Sequence, residues 1–372
     1  MFFYIAVFII LLLPILLDNS KFTKKNNIIY YLILPLFLCF GYMNGSDWRN
    51  YEIEFYEIDS FREVWGYGRE KGYTLIGYFF KLIGLSFWHY AITIKLIGYY
   101  IFLTFYKKYS ESNLFGLIFF FANFSLFLWL DHPARNFCAI LVYLFSFKYI
   151  FEKSFVKYLL IIFLATFFHL SALFLLPVYF FNKSYSRNIY IILVIISVIL
   201  FLTSYALLPY ITSLFEPFFF FNRFDAYLNE MYIGKSMNVF RYSLNIFIIV
   251  LAIIKKKKFE IYKYGTLMLN LSIIYLLFFS IGNINVILFR FNLYYAIPFA
   301  ILISYLFTIM HSLRKKIFKY AIIMISFLYM YQLITKDFRY IPYTNYLSFS
   351  FQAKPNYYYR SNYNYNNSPY SN

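Results

Sequence analysis

The chain of 372 residues is poor in cysteine, in acidic residues and in extended polar segments. Its two cysteines lie in apolar runs with no CxxC or His/Cys metal spacing, so we expect neither a structural disulfide nor a metal site. No P-loop, nucleophile elbow or dinucleotide fingerprint is present, which argues against ATP use and leaves no cofactor to expect. Acidic residues number 16 against 34 basic ones, for a formal charge of +18.

Apolar sequence is what the chain has in abundance. It is 62% hydrophobic, with a mean hydropathy of +0.61, which is too apolar for a soluble domain of this length. The basic residues form short clusters between the apolar runs, which is the positive-inside pattern of membrane proteins rather than a nucleic-acid-binding face. The sequence therefore predicts an all-α, polytopic transmembrane helix bundle whose partner is the lipid bilayer.

We predict about ten spans, each near the ~20 residues that a helix needs to cross the hydrocarbon core. The predicted spans are 2–17, 28–43, 87–105, 114–130, 136–151, 188–208, 241–254, 263–281, 288–309 and 317–334. The Lys-rich loops between them should be cytoplasmic, which places most of the carboxylates outside.

The domain organisation follows from these spans. Residues 1–335 should form a single transmembrane domain, and 336–372 an extracytoplasmic tail rich in Tyr and Asn. The low-complexity end, 356–372, should be disordered, the alternative being an aromatic tail that contacts sugar.

One apolar run does not fit a simple crossing. Residues 157–182 have basic residues on both flanks, so a single span would break the alternation of charge. We therefore predict a re-entrant hairpin of two half-helices that meet near Phe168-His169-Leu170-Ser171, since broken helices occur where they line a polar cavity. The alternative is one ordinary helix with a hydrogen-bonded histidine.

Several charged side chains lie at the predicted outer face. Asp47 abuts the end of a span, Arg135 and Arg290 each open a span, and Arg223 lies in an outer loop; Lys95 is in mid-span. Arginine matches phosphate oxygens with a two-pronged fork, so the set suggests a lipid phosphate or pyrophosphate ligand. The alternative for each arginine is that it reaches lipid head groups, and Lys95 could instead pair with a carboxylate.

The tip of the predicted hairpin carries the sharpest single candidate. His169 would face the cavity there, with a pKa suited to proton transfer, although a lone buried histidine is more often a core residue. Asp47 is the other candidate base, because its carboxylate would lie at the membrane surface, where a glycan hydroxyl could meet it.

Taken in order, these segments resemble the EpsG family of Wzy-like polysaccharide polymerases. The matching segments are Gly45-Ser46-Asp47-Trp48 with Tyr51 and Phe55, Glu70-Lys71-Gly72-Tyr73, Arg135-Asn136, Phe168-His169-Leu170-Ser171-Ala172-Leu173, Arg223-Phe224 with Tyr227, and Arg290 with Tyr294. Two positions depart from the family pattern, which usually has Tyr at the position of Trp48 and often Gln at that of Asn136. Neither change removes a charge, and the tail has no counterpart in the resemblance.

The resemblance implies a multi-pass, GT-C-like glycosyltransferase of the bacterial inner membrane, which polymerises O-antigen, capsule or exopolysaccharide repeat units. Donor and acceptor would both be undecaprenyl-diphosphate-linked oligosaccharides, with a flippase and a chain-length regulator as candidate protein partners. The implied roles are pyrophosphate binding for Arg135, Arg290 and Arg223, proton transfer for Asp47 or His169, and glycan binding for Glu70, Tyr51 and Tyr294.

Two other functions remain open from the sequence. The same cations would suit a flippase or transporter of lipid-linked sugars, or another membrane glycosyl- or acyltransferase. A transporter should carry polar residues through the whole membrane depth. Here the polar set is predicted on one face, which favours an enzyme.

Overall fold

A computed structural model of the chain describes residues 1–16, 28–66, 70–111, 114–215, 235–282, 286–310 and 312–367. These ranges are helical, and within them no strand forms beyond an isolated antiparallel bridge between Gly41 and Asn345. The predicted all-α class is confirmed.

The helices follow the predicted spans closely. In chain order they are α1 (Phe2–Leu16), α2 (Ile29–Leu38), α3 (Trp48–Glu57), α4 (Phe61–Gly66), α5 (Lys71–Leu82), α6 (Phe87–Tyr109), α7 (Phe115–Asp131), α8 (Ala134–Phe151), α9 (Phe155–Thr166), α10 (Leu170–Phe181), α11 (Arg187–Phe215), α12 (Lys235–Ile254), α13 (Lys256–Phe259), α14 (Gly265–Gly282), α15 (Val286–Ile309), α16 (Ser312–Lys336) and α17 (Tyr357–Asn367). The first half of α2 and the second half of α7 are π-helical, and α10 is a 3₁₀ helix. Two 3₁₀ turns, Phe338–Tyr340 and Tyr346–Phe349, connect α16 to α17.

Five of the described helices are long and apolar enough to cross a membrane. They contain Ala134–Phe151, Arg187–Ser204, Gly265–Gly282, Phe289–Ile309 and Leu313–Lys336. Shorter apolar helices occupy other predicted spans, among them α1, α2 and α7. The chain is thus a helical protein with several membrane-spanning candidates, and the count of about ten and the GT-C-like fold stay predictions.

The predicted hairpin is present as a reversal of the chain. Helices α9 and α10 are separated by a break at residues 167–169, and the Tyr158 hydroxyl donates to the carbonyl of Leu175 at 2.5 Å. In one continuous helix these residues would lie about 25 Å apart along the axis, so the second arm returns beside the first. That arm is 3₁₀ rather than α, and its 12 residues rise about 24 Å at ~2 Å each, more than the α-helical half that we predicted.

The chain divides into two compact units, and the single transmembrane domain predicted for residues 1–335 stays a prediction. The first unit comprises residues 1–176 with 311–372, and the second comprises 177–310. The C-terminal tail therefore belongs to the first unit, and its described part is ordered differently from the prediction. Residues 357–367 form a helix instead of a disordered segment.

A buried joint fixes the outer loop within the first unit. Asp131, at the end of α7, accepts hydrogen bonds from the amide and hydroxyl of Ser46 at 2.6 and 2.9 Å and pairs with Arg339 at 3.1 Å. Gly45 has a φ of +81°, and a Cβ there would lie 2.3 Å from the Asp131 backbone, so only glycine permits this approach. The joint sets where α3, the helix that follows, begins.

Candidate functional site

Helix α3 supplies the site with side chains from two of its faces. Trp48, Tyr51 and Phe55 are buried at helical spacing, which holds the helix against its neighbours. Two carboxylates on the same helix, Glu52 and Glu54, are also buried, with 3% and 4% of their surface exposed. Since successive residues are 100° apart on a helix, these carboxylates point in nearly opposite directions, toward different partners.

Glu70 reaches the site through a close backbone approach. The amide of Gly72 donates to the carbonyl of Phe167 at 2.8 Å, and a Cβ on Gly72 would lie 2.9 Å from that oxygen. This contact brings the start of α5 against the hairpin tip, where Glu70 Oε1 lies 3.4 Å from the Leu170 amide. The loop and the hairpin, 100 residues apart in sequence, are joined here.

Arg135 is the centre of the site. Its Nη2 donates to both carboxylate oxygens of Glu54 at 2.5 Å, and Glu54 also accepts from the Thr74 hydroxyl at 2.5 Å. Arg135 Nη1 lies 3.8 Å from Glu70 Oε2, longer than a hydrogen bond, and the guanidinium sits 5.5 Å from the centre of the Tyr51 ring. One buried cation therefore bridges α3, α5 and α8 through two carboxylates and an aromatic ring.

His169 adds a titratable group beside Glu70. It is half-buried at the hairpin tip, and its Nδ1 lies 3.2 Å from the Ser171 amide and 2.7 Å from the Ser171 hydroxyl. Burial acts to raise the pKa of Glu70, but His169, the backbone amides and Arg135 outweigh it and hold that pKa below its ordinary value. Glu70 is thus kept ionised beside His169 and Arg135.

The interior of this cluster is tightly packed. A cavity of about 10 Å³ lies beside Tyr51, Glu54, Tyr73 and Thr74, which is room for about one water molecule. It is far too small for a sugar ring, so in this conformation the cavity can hold water next to Glu54 but no saccharide.

The structure brings together four of the residues predicted from the sequence, namely Tyr51, Glu70, Arg135 and His169. Asp47 immediately precedes α3 and lies two helical turns before Glu54 on the same face, about 10 Å along the axis.

The remaining predicted residues lie elsewhere. Arg290 and Tyr294 are on α15 in the second unit, where Tyr294 is buried and Arg290 half-buried. Arg223 lies outside the described residues. Lys95 is buried on α6 with 3% of its surface exposed, and the nearest acidic group that acts on it is Asp131.

Sequence reasoning missed the principal partner of Arg135. The predicted spans leave Glu54 between 28–43 and 87–105 with no element assigned, yet Trp48, Tyr51, Phe55 and Ile58 repeat at helical intervals and would have indicated a buried helix face. A carboxylate within that face needs a cationic partner, which is the signal that could have identified Glu54.

The tail was the second omission. Arg360 on α17 donates through Nη1 to both oxygens of Glu52 at 2.9 and 2.7 Å, and both side chains are buried. Nothing in the sequence pattern of the tail indicates this pairing across 308 residues.

A sequence model of the EpsG family matches residues 29–345. The chain belongs to the EpsG family. Membership in the family, together with the apolar helices, makes this a membrane protein of polysaccharide biosynthesis. No curated protein and no solved structure gives a significant match.

The part of the chain that matches the EpsG model contains the whole Arg135 cluster. It begins at the first residue of α2 and ends before α17, so the helix that carries Arg360 lies beyond it. The Glu54–Arg135 pair is therefore formed within the family-matched region, whereas the Glu52–Arg360 pair joins that region to the tail.

Proposed function

We propose that this EpsG-family chain polymerises undecaprenyl-diphosphate-linked oligosaccharide repeat units on the outer face of the bacterial inner membrane. The observation that carries the proposal is the Arg135 cluster. It brings together a cation, two carboxylates and a histidine from three segments that are distant in sequence. Such groups suit a reaction in which a phosphate leaves and a proton is removed.

In the proposed reaction, an acceptor hydroxyl oxygen of one repeat unit attacks the anomeric carbon of the growing chain. The bond from that carbon to the lipid pyrophosphate breaks, and its electron pair leaves with the pyrophosphate. The hydroxyl proton passes to a base. Positive charge lowers the barrier by stabilising the pyrophosphate as its charge develops.

Arg135 is proposed to stabilise the leaving pyrophosphate through Nη1, a guanidinium nitrogen that is not bound to Glu54. Nη2 is bound to Glu54, whereas Nη1 is 3.8 Å from Glu70 and can turn toward a phosphate oxygen. Arg290 and Arg223 are proposed to bind pyrophosphate, and Tyr294 the glycan, on the strength of the family pattern alone.

The base is proposed to be a carboxylate. His169 Nδ1 lies in position to accept from the Ser171 amide, so in the neutral ring Nε2 carries the hydrogen and acts as a donor. A donor at Nε2 stabilises an anion rather than removing a proton. Asp47, and now Glu70, are therefore the candidate bases, with His169 as a positioning or acidic group.

The test is to follow the repeat units in cells that carry single variants. Arg135→Ala and Arg290→Ala should each reduce polymer synthesis on the order of 10²–10³-fold, as for loss of one donor to a developing oxyanion. Arg135→Lys keeps the charge without the fork and should retain part of the activity. Lys316→Gln, in the Lys-rich segment of α16 predicted to be cytoplasmic, is the matched control and should polymerise normally.

The position of the accumulated units distinguishes polymerase from transporter. Loss of a polymerase leaves single lipid-linked units on the outer leaflet, where an impermeant lectin or periodate reaches them in intact cells. Loss of a flippase leaves them inside. Full-length polymer in both alanine variants at normal protein levels would refute the assignment, and inner-leaflet accumulation would support the transporter instead.

A further inference from the structure

Outside the Arg135 cluster, the first unit contains a second buried charge surrounded by aromatic rings. We define the Glu52 recess as the Glu52 carboxylate with the side chains of Tyr42, Trp48 and Trp88. The rings of Tyr42 and Trp88 are 4.5 Å apart and those of Trp48 and Trp88 are 5.3 Å apart, centre to centre. All four side chains are at least 96% buried.

The recess is closed by the tail helix. Arg360 lies with its guanidinium carbon 5.7 Å from the centre of the Trp48 ring while one nitrogen donates to both Glu52 oxygens. Neighbouring contacts hold α17 in place, since Arg49 Nε donates to the Ser361 carbonyl at 2.9 Å and Asn364 donates to the Arg339 carbonyl at 3.2 Å. Ring contacts of Trp48 with Tyr357 at 6.2 Å and of Phe338 with Tyr365 at 5.8 Å add to them, and local opening of the helix would break these contacts without unfolding the rest of the unit.

The aromatic walls carry polar atoms whose hydrogen bonds are not made. Among the described residues, the Tyr42 hydroxyl and the indole nitrogens of Trp48 and Trp88 are buried with no hydrogen bond of normal geometry. The Tyr42 hydroxyl faces Arg360, and the Trp88 nitrogen faces Glu52. Buried polar atoms of this kind are nearly always satisfied in proteins, so with Arg360 displaced, the Tyr42 hydroxyl and the two indole nitrogens suit a ligand rich in hydrogen-bonding oxygens.

A pyranose ring has the required chemistry. Its C–H face is apolar and stacks on an indole, its hydroxyls donate in pairs to a carboxylate, and its oxygens accept from indole and phenol donors. The Arg360 guanidinium reproduces part of this arrangement, as a flat group against Trp48 that donates to Glu52. The tail thus occupies the place of such a ring.

We propose that the Glu52 recess is a saccharide-binding subsite and that Arg360, on the tail helix beyond the family-matched region, occupies it in competition with the sugar. The identification of the ligand as a saccharide rests on the proposed function. In that setting the subsite would take a sugar of a repeat unit, and the tail would set how readily it enters.

The experiment measures sugar binding directly, by quenching of tryptophan fluorescence in purified protein in lipid nanodiscs. The probes are the methyl glycosides of glucose, galactose, N-acetylglucosamine and N-acetylgalactosamine. Removing residues 356–372 should raise the apparent affinity for at least one probe about tenfold, if the closed form outnumbers the open one by about ten to one. Glu52→Gln in the truncated chain should abolish the gain.

Further variants keep the result interpretable. Truncation opens Glu52 to water, so it avoids the unpaired buried charge that Arg360→Ala would leave. Trp48→Phe should weaken the quenching, whereas Trp65→Phe should not, since Trp65 is 50% exposed and lies outside the recess. Equal binding curves for full-length and truncated protein, no response to any probe after truncation, or full binding after Glu52→Gln would each overturn the subsite.

The outcome is separable from that of the proposed polymerase. Arg135→Ala should abolish polymerisation and leave the fluorescence response of the truncated protein unchanged, because Arg135 does not contact the recess residues. Normal polymerisation in Arg135→Ala with intact sugar binding would refute the first proposal and keep the second. Loss of polymerisation in Arg135→Ala, together with no sugar binding by the truncated protein, would keep the first proposal and refute the second.

Discussion

Two carboxylates on the short helix α3 each pair with a buried arginine. One arginine belongs to the family-matched region and the other to the tail. Glu54 pairs with Arg135, which lies at the start of α8 in the family-matched region and is joined by Thr74, Tyr51 and Glu70. Glu52 pairs with Arg360 on a terminal helix outside that region.

The comparison shows that the stability cost of breaking a buried ion pair depends on the helix that carries the arginine. Arg135 is held by the 18-residue helix α8, so its pair with Glu54 stays buried, with room for about one water molecule beside Glu54. Arg360 is held by the 11-residue helix α17, and detachment of that helix would admit water or ligand to Glu52. We therefore expect that loss of one partner costs more stability in the Glu54–Arg135 pair than in the Glu52–Arg360 pair.

The largest expected effect is at Glu54. Glu54→Ala leaves Arg135 buried without its closest partner and should lower the free energy of unfolding by about 3–5 kcal/mol. The double variant Glu54→Leu/Arg135→Met replaces the pair with apolar groups and should recover most of that stability, but not polymer synthesis. Unfolding in detergent micelles and polymer analysis in cells measure the two effects, and a loss below about 1 kcal/mol in Glu54→Ala would contradict the assigned pairing.

A smaller loss is expected at the tail. Arg360→Ala should lower the free energy of unfolding by about 1–3 kcal/mol, because the displaced helix lets water reach Glu52 and relieves part of the penalty. Tyr358→Ala on the same helix, where the ring is 78% exposed, is the matched control and should be near neutral. A loss at Arg360 as large as that at Glu54 would remove the distinction between the two pairs.

Acidification should distinguish the carboxylates by the sign of its effect. The pKa of Glu70 is below its ordinary 4.5, so Glu70 adds stability above that pH and loses it as the pH falls through its folded pKa. Burial raises the pKa of Glu52 despite Arg360, so the folded state gains relative stability as the pH falls.

The measurement compares unfolding of the wild type with that of Glu70→Gln and Glu52→Gln from pH 7 down to about pH 3, a range that extends below the ordinary carboxyl pKa of 4.5. The advantage of the wild type over Glu70→Gln should shrink in acid, whereas its stability relative to Glu52→Gln should improve. The same pH trend in both comparisons would show that the two carboxyls do not occupy opposite environments.

The smallest effect is expected where an ion pair lies in solvent. Lys256 and Glu260 are one turn apart at 2.7 Å, with their side chains 21% and 35% exposed. Lys256→Ala should change the free energy of unfolding by about 0.5 kcal/mol or less and leave polymerisation intact. A larger loss would mean that ion-pair geometry, rather than burial, sets the strength of the α3 pairs.

The helices were largely predictable because each one depends on local sequence. Apolar runs and charge clusters predicted the positions of α6, α8, α14 and α15 to within a few residues, and the positive-inside rule predicted the reversal at His169. The 3₁₀ form of α10 and the π-helical end of α7 were not predicted, since local composition does not distinguish α from the tighter and wider helices.

The site was predictable only in part, because the pairing of its residues depends on tertiary packing and not on local sequence. The positions of Arg135 and His169 in the sequence singled them out, and the family resemblance added Glu70 and Tyr51, but neither kind of reasoning could pair them. The Arg135–Glu54 contact spans 81 residues and depends on how α3 and α8 pack.

By itself, the sequence determined a helical membrane chain, because apolar length and charge alternation act residue by residue and need no partner. Its ordered motifs identified the EpsG family. Only the tertiary structure decided which carboxylate meets which arginine. A buried charge is stable only beside a specific opposite charge, and packing alone brought Glu54 to Arg135 and Glu52 to Arg360.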